Sequence, residues 1–283
     1  MAQAIDYGDP IRGPSALSGG LRRSLTLSTA IARSDFKLRF FGSALGYLWQ
    51  LMRPMLLFGV LYVMFTVILE VSGEPFFGVA LLLGIVLFTF FSEATGAAVT
   101  SVIDRENLVR KIQFPRVVIP MAVVMTACFN LMLNLVVVFI FATASGVHPR
   151  WGWLGLLPLL LLLVIFAAGI AMLLSALYVR YRDVQPIWEV SLQILFYSSL
   201  ILVPYETVVQ KGYDTIASAL LLNPLAAILQ EARHLTIDPA YVSAGDAIGG
   251  RLLLLAPLSL LVVTFLLGSW VFNREAPRIA EEL

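Results

Sequence analysis

The chain has 283 residues, of which 59% are hydrophobic and only 13% are charged. Its net charge of +1 argues against nucleic-acid binding, which needs a basic excess. The few charges gather in short clusters between long apolar stretches, a pattern typical of a polytopic membrane protein.

The amino-terminal part of the chain predicts a tail followed by a surface helix. Residues 1–20 contain glycines, prolines and two acids but no apolar run, so we expect a flexible cytoplasmic tail. Residues 21–41 predict an amphipathic interface helix at the headgroups of the inner leaflet, although an ordinary juxtamembrane anchor explains the pattern equally well. Its apolar stripe contains Leu27, Ile31, Ser34, Leu38 and Phe41, with Arg33, Lys37 and Arg39 beside it.

Six stretches are long and apolar enough, or nearly so, to cross a bilayer, which needs about 20 residues. They lie at residues 55–71, 76–103, 117–147, 153–179, 187–203 and 252–272. Fifteen of the 19 lysines and arginines then fall on one side, which the positive-inside rule assigns to the cytoplasm. The sequence therefore predicts an all-α membrane protein with six transmembrane helices and both termini cytoplasmic, within one permease domain at 21–283.

The loop at residues 104–116 is short and unusually charged. Ser101 and Asp104 resemble a capping box, so we expect a small amphipathic helix to begin there and to end before Pro115. Such a helix would offer its apolar side to a partner or to the bilayer surface, whereas cytoplasmic positive charge alone also explains the loop. The residues expected to make the contact are Glu106, Leu108, Arg110, Lys111 and Ile112.

The outer segment at residues 204–250 is too apolar in its centre for a plain loop. Two runs, at 217–222 and 224–229, are each too short to span and are separated at Asn223 and Pro224. They predict two short re-entrant helices at the mouth of a pore, or else a helical hairpin resting on the interface.

The sequence lacks a phosphate-binding GxxxxGK[ST] loop and any histidine or cysteine spacing typical of a metal site, so no cofactor is expected on this chain. Two carboxylates, Glu93 and Glu189, lie within predicted spans. Such groups are functional candidates, although snorkelling or pairing with Arg105 or Arg182 would also explain them.

Aromatic residues recur on two of the predicted spans. Their rings suit a conduit that stacks on sugar rings, or they simply pack against helices and lipid. The residues are Phe58, Tyr62, Phe65, Trp188, Phe196 and Tyr197.

Three motifs in chain order resemble the membrane permease of a type-2 ABC exporter of the polysaccharide-export class, which handles O-antigen, teichoic acid, capsule and cell-wall galactan. The first is KLRFFGS at 37–43 with Trp49 and Pro54. The second is NLVRK at 107–111 with FPR at 114–116, and the third is LNP at 222–224 with Arg233. Together the motifs and their spans cover about residues 21–273.

The resemblance implies a multi-pass homodimer in the bacterial plasma membrane, assembled with two copies of a separate cytoplasmic ATPase that holds ATP and Mg²⁺. It implies that residues 21–41 and 104–113 dock on the ATPase and that Asn223, Pro224 and Arg233 form an outer gate. The substrate would be a glycan on a polyprenyl diphosphate, moved outward between the two copies. A membrane-embedded glycosyl or prenyl-phosphate transferase and a proton- or sodium-coupled transporter are the alternatives.

Overall fold

A computed structural model describes residues 21–40, 46–69, 76–106 and 115–276, and within these ranges every regular element is helical. The all-α class is thereby confirmed. The tail at 1–20 and loop residues 107–114 lie outside the described part. The helices are α1 (Leu21–Phe40), α2 (Tyr47–Val63), α3 (Phe77–Asp104), α4 (Val118–Ala144), α5 (Leu156–Arg180), α6 (Val184–Ser198), α7 (Tyr205–Gln210), α8 (Asp214–Leu220), α9 (Pro224–Thr236), α10 (Ala244–Ala247) and α11 (Leu255–Glu275).

Five helical segments are long and apolar enough to cross a membrane. They are Leu48–Ile68, Phe77–Asp104, Val118–Ala144, Trp151–Arg180 and Leu252–Glu275. The remaining predicted span, at 187–203, corresponds to α6, which has only 15 residues. At 1.5 Å per residue α6 is about 22 Å long, less than the roughly 30 Å of a bilayer core. The predicted end at residue 203 is wrong because the helix stops at Ser198.

Helix α3 is the centre of the bundle. In its most apolar 18-residue stretch 83% of the residues are buried, against 11% for the α2 span and 17% for the α11 span. It packs against α4, α5 and α2, and α5 in turn packs against α11. A helix that is apolar on all sides is stable inside a protein core or in lipid, and the burial of α3 shows that it lies in the core. The flanking helices α2 and α11 each expose a broad apolar face, which suits contact with lipid.

Two glycines allow α5 and α11 to cross at close range. A Cβ at Gly169 would lie 2.6 Å from the Cα of Phe265, and one at Gly268 would overlap the carbonyl oxygen of Gly169. Small residues at such crossings bring membrane helices into van der Waals contact, which drives helix association in lipid.

The surface helix α1 packs on the start of α4 through a face of small residues. Ser24, Ser28 and Ala32, spaced four residues apart, are buried, whereas Leu38 of the predicted apolar stripe is exposed. Leu27 and Ile31 are half-buried at the edge of this contact. The interface helix is thus present at its predicted place, but its protein-facing side is a small-residue face beside the predicted stripe.

The structure corrects one predicted helix boundary and confirms another. Ser101 lies inside α3 and donates to the Ala98 carbonyl oxygen, so the capping box expected at Ser101 is wrong. In the outer segment, α8 and α9 are separate helices bent by 104° relative to each other. The Asn223 side chain caps α9 by accepting from the Leu225 amide, and Pro224 is the first helical residue.

The close crossing predicts that a β-branched side chain at Gly268 separates α5 from α11. We expect Gly268→Val to cost about 1–3 kcal/mol or more through overpacking and to lower the melting temperature and the yield of monodisperse protein in detergent. The matched control is Gly59→Val in α2, where an added Cβ meets nothing within 4 Å. Equal melting temperatures for the two variants would contradict the close crossing.

Candidate functional site

A groove lined by both polar and apolar side chains opens on the periphery of the bundle between α2, α3 and α6. Its volume is about 670 Å³. Helix α2 supplies Gln50, Arg53, Pro54 and Leu57, α3 supplies Phe88, Thr89, Ser92, Glu93 and Ala97, and α6 supplies Leu192, Gln193, Phe196 and Tyr197. Polar side chains at this density are rare in a membrane domain unless they face water or another polar surface.

Glu93 is fixed in the groove by two amides. Its Oε1 accepts from the Asn130 Nδ2 at 2.8 Å, and its Oε2 accepts from the Gln50 Nε2 at 3.2 Å. Glu93 is not paired with Arg105, the alternative considered above, because the Arg105 guanidinium binds the Asp35 carboxylate. Three helices, α2, α3 and α4, are therefore tied together by one carboxylate at the floor of the groove.

Helix α6 carries a polar stripe along the open side of the molecule. Gln185, Glu189 and Gln193 are spaced four residues apart, which places them on neighbouring turns of one face. The Gln185 Nε2 donates to the Glu189 Oε1 at 3.2 Å, so Glu189 is held by an amide of its own helix and not by Arg182. No residue of α6 is buried in a single copy of the chain. Hydrocarbon cannot solvate these groups, so the stripe requires water or a protein partner.

The six aromatic residues expected to line a conduit fall into two sets. Phe196 and Tyr197 line the groove, and Tyr197 is 72% exposed. Phe58 and Phe65 are buried, with their rings 5.3 Å from Phe141 and 6.2 Å from Phe77.

Tyr62, which is exposed, and Trp188, which is half-buried, also lie outside the groove lining. Tyr62 lies against Gly78 beside a separate hollow near the start of α3. Trp188 donates to the Thr95 hydroxyl at 3.1 Å. Of the six predicted residues only the two on α6 line the groove, where Phe88 of α3 adds a third ring. The conduit role of all six stays a prediction.

The predicted docking elements are joined to the bundle by an ion pair and a packed face. The Arg105 guanidinium, at the end of α3, donates to the Asp35 carboxylate of α1. At the other end of the loop, the Ser28 hydroxyl of α1 lies 3.4 Å from the Val118 carbonyl oxygen at the start of α4. Helix α1 therefore contacts the residues on both sides of the loop at 107–114.

Among the residues predicted to contact an ATPase, Arg33 and Lys37 are exposed on α1 and Glu106 is half-buried at the loop. The side chain of Arg39 lies outside the described part, as do Leu108, Arg110, Lys111 and Ile112. Their docking role stays a prediction.

Two of the residues predicted to form an outer gate, Asn223 and Arg233, contact the chain that follows α6, and their gate role stays a prediction. The Asn223 Nδ2 donates to the Ser199 hydroxyl at 3.1 Å, and the Arg233 Nη2 donates to the carbonyl oxygens of Leu200 at 2.7 Å and Ile201 at 3.2 Å. Two residues ten positions apart in sequence thus hold one short turn.

Sequence reasoning missed the amide partners of the groove. Asn130 and Asn134 are buried in α4 four residues apart, an intramembrane polar pair that the sequence pattern could have revealed. Gln50 carries no such signal because it is a single amide before the predicted span at 55–71, whereas Gln193 lies within the predicted span at 187–203 and could have been noted there. Within the described ranges, no three His, Cys, Asp or Glu side chains group to hold a metal ion.

Comparison with known proteins gives a consistent family. A sequence model described as ABC-2 type transporter matches residues 26–234. The O-antigen export system permease protein RfbA of Klebsiella pneumoniae is 28% identical over 262 residues, covering 91% of this chain and 95% of the relative.

Two further relatives agree with this match. The RfbA of Myxococcus xanthus is 28% identical over 205 residues, covering 72% of this chain and 77% of the relative. The polysialic acid transport protein KpsM of Escherichia coli is 24% identical, covering 81% of this chain and 88% of its own.

The ion pair between Asp35 and Arg105 predicts a charge-swap rescue. Asp35→Arg alone brings two like charges together, and we expect it to destabilise the fold by about 1 kcal/mol because solvent partly screens the pair. Combining it with Arg105→Asp restores an opposite pair and should recover most of the loss. Thermal melting in detergent measures both changes. A swapped protein no more stable than the worse single variant would refute the pairing.

Proposed function

The chain belongs to the ABC-2 type transporter family, and we propose that it is the membrane subunit of an ATP-driven exporter of polyprenyl-diphosphate-linked polysaccharide. It is a multi-pass protein of the bacterial inner membrane. The single observation that carries the proposal is the groove between α2, α3 and α6, which combines a fixed carboxylate, amides and aromatic rings.

The lining of the groove suits a glycan that must slide. Amides such as Gln50 and Gln193 exchange hydrogen bonds with sugar hydroxyls, and the rings of Phe196 and Tyr197 offer flat apolar faces to sugar rings. Neither type of contact fixes a particular linkage. The relatives named for O-antigen export and polysialic acid transport support the same class of substrate.

A second copy of the chain would complete the conduit. The groove is open on the side where α6 exposes its polar stripe, and a path through hydrocarbon needs a closed polar wall. Two copies facing each other across their α2 and α6 helices would bury both stripes around a shared path. Closed twofold symmetry is the commonest arrangement of such assemblies.

Energy for export would come from a separate ATPase, present in two copies, since the sequence lacks a phosphate-binding loop. Its docking surface would be α1 together with the loop at 104–116. The contacts of α1 at Asp35 and Ser28 connect that surface to α3 and α4, and α3 carries Glu93 at the groove. Movement of the ATPase would therefore reach the groove through two packed helices.

The direct test is transport by the purified full chain with the ATPase that accompanies it, in proteoliposomes containing polyprenyl-diphosphate-linked glycan. We expect ATP-dependent movement of the glycan across the bilayer. Replacing Leu108 and Ile112 by Asp should leave the complex in the membrane and hydrolysing ATP while transport falls at least tenfold, because the apolar contact that couples the two is removed. The matched control is Leu108→Met with Ile112→Val.

Two outcomes would contradict the proposal. Glycan movement at the same rate without ATP would exclude an ATP-driven exporter. Normal transport by the double Asp variant would remove the loop from coupling.

A further inference from the structure

Arg233 is a charged residue with only 1% of its surface exposed, in the middle of an apolar bundle. Its Nη2 donates to the carbonyl oxygens of Leu200 and Ile201. These carbonyls need an outside donor because α6 has already ended at Ser198 and Leu200 has a left-handed backbone, with φ of 55°. Arg233 therefore completes the hydrogen bonding of a turn that belongs to a different helix.

The rest of the guanidinium makes no hydrogen bond to the described residues. Its Nε and Nη1 are buried and make no hydrogen bond, and the same holds for the Glu206 Oε2 and the Gln230 Oε1. Buried polar atoms almost always have partners in folded proteins, and an ordered water is the usual partner where protein atoms do not supply one.

These four atoms belong to one cluster. Gln230 and Arg233 are three residues apart on α9 and so lie on the same face. The Gln230 Nε2 donates to the Glu206 Oε1 at 2.8 Å. The buried Tyr241 and the Glu206 carboxylate both act electrostatically on the Arg233 guanidinium. The two orphaned nitrogens are donors and the two orphaned oxygens are acceptors, so the set is complementary without being in direct contact.

We propose that the outer segment contains a buried water site in which ordered water bridges the Arg233 guanidinium to the Glu206 carboxylate. Water donates and accepts, so it can satisfy both sides. An anion would be repelled by Glu206, and a metal cation would be repelled by Arg233. The neutral bridge leaves the two opposite charges to balance each other in a low-dielectric region.

The site makes Arg233 a positioning residue for the end of α6. The Glu206 carboxylate also accepts from the Val242 amide at 2.8 Å. The bridge therefore connects α7, α9 and the loop at residue 242 to the turn after α6. Since α6 has no buried residue of its own, its carboxyl end depends on the ties from Arg233 and Asn223. The outer segment and the groove-lining helix then move together, a consequence for export that rests on the proposed function.

The water itself is tested by electron cryomicroscopy of the full chain in lipid nanodiscs, at a resolution that shows ordered waters. We expect density within hydrogen-bonding distance of both the Arg233 Nε or Nη1 and the Glu206 Oε2. Direct contact between the two side chains, or an apolar void between them, would overturn the site. This readout does not depend on transport, so it remains informative if the proposed substrate is wrong.

The coupling is tested by a double-mutant cycle on the melting temperature. Glu206→Gln leaves Arg233 as an uncompensated buried charge, and Arg233→Gln does the converse, so each should lower the melting temperature by several degrees. The melting temperature of the double variant should fall by clearly less than the sum of the two single decreases. An additive loss would overturn the pairing. Lys211→Gln, which removes an exposed charge from the same segment, is the matched control and should change little.

A positional readout covers the case in which Arg233→Gln does not fold. In a Cys128→Ala background, Leu202→Cys reports on the turn after α6. We expect Glu206→Gln to raise the rate at which a thiol reagent labels the cysteine at position 202 severalfold, because the turn is then held less firmly by Arg233. An unchanged rate in folded protein would show that Glu206 does not act on α6 through Arg233.

Discussion

The hydrocarbon of a bilayer offers no hydrogen bonds, so the polar groups of this chain must bond to one another or face water. The arrangement of the helices follows from this constraint. Glu93 accepts hydrogen bonds from Gln50 and Asn130. Arg233 donates to the carbonyl oxygens of Leu200 and Ile201, just after the end of α6. The polar stripe of α6 finds no partner elsewhere in the described part of its own bundle, apart from the contact between Gln185 and Glu189. Burying any of these polar groups without a hydrogen bond costs free energy. Each group therefore either bonds to another helix or lies on a surface that faces water or a polar partner.

Which helices are buried determines which surface of the bundle can face water or a polar partner. Helix α3 is enclosed by α2, α4 and α5, and the close crossing at Gly169 and Gly268 holds α11 on the far side of α5. That leaves α2 and α6 as the helices whose exposed faces border the groove. A rigid centre with a polar edge is the arrangement expected if the conduit lies between two copies rather than within one. The same centre carries the contacts of α1 to the groove, since Arg105 and Glu93 are both on α3.

Much of the architecture could be predicted from the sequence because long apolar runs have few alternatives to membrane helices. The break at Asn223 and Pro224 was also predictable, since proline disfavours a helical residue before it and asparagine caps the next helix.

The partners of individual side chains could not be predicted. Periodicity places Phe58, Tyr62 and Phe65 on one side of the span Leu48–Ile68 but does not say which neighbour that side meets. Phe58 packs on Phe141 of α4. Likewise, nothing local reveals that Arg233 contacts the chain after α6. Helix α6 ends at Ser198 although the apolar run continues to Val203, and Arg233 binds the carbonyl oxygens of Leu200 and Ile201 that follow.

The central claim is that the polar stripe of α6 faces a second copy of the chain across a shared path. Replacing Cys128 by Ala gives a cysteine-free chain, to which single cysteines can be added at Gln193 in the groove or at Leu266 on the exposed face of α11. Treatment of native membranes with a short bifunctional maleimide should give a covalent dimer for the cysteine at 193 and none for that at 266. Dimers at 266 without dimers at 193 would place the interface on the wrong side of the bundle and contradict the account.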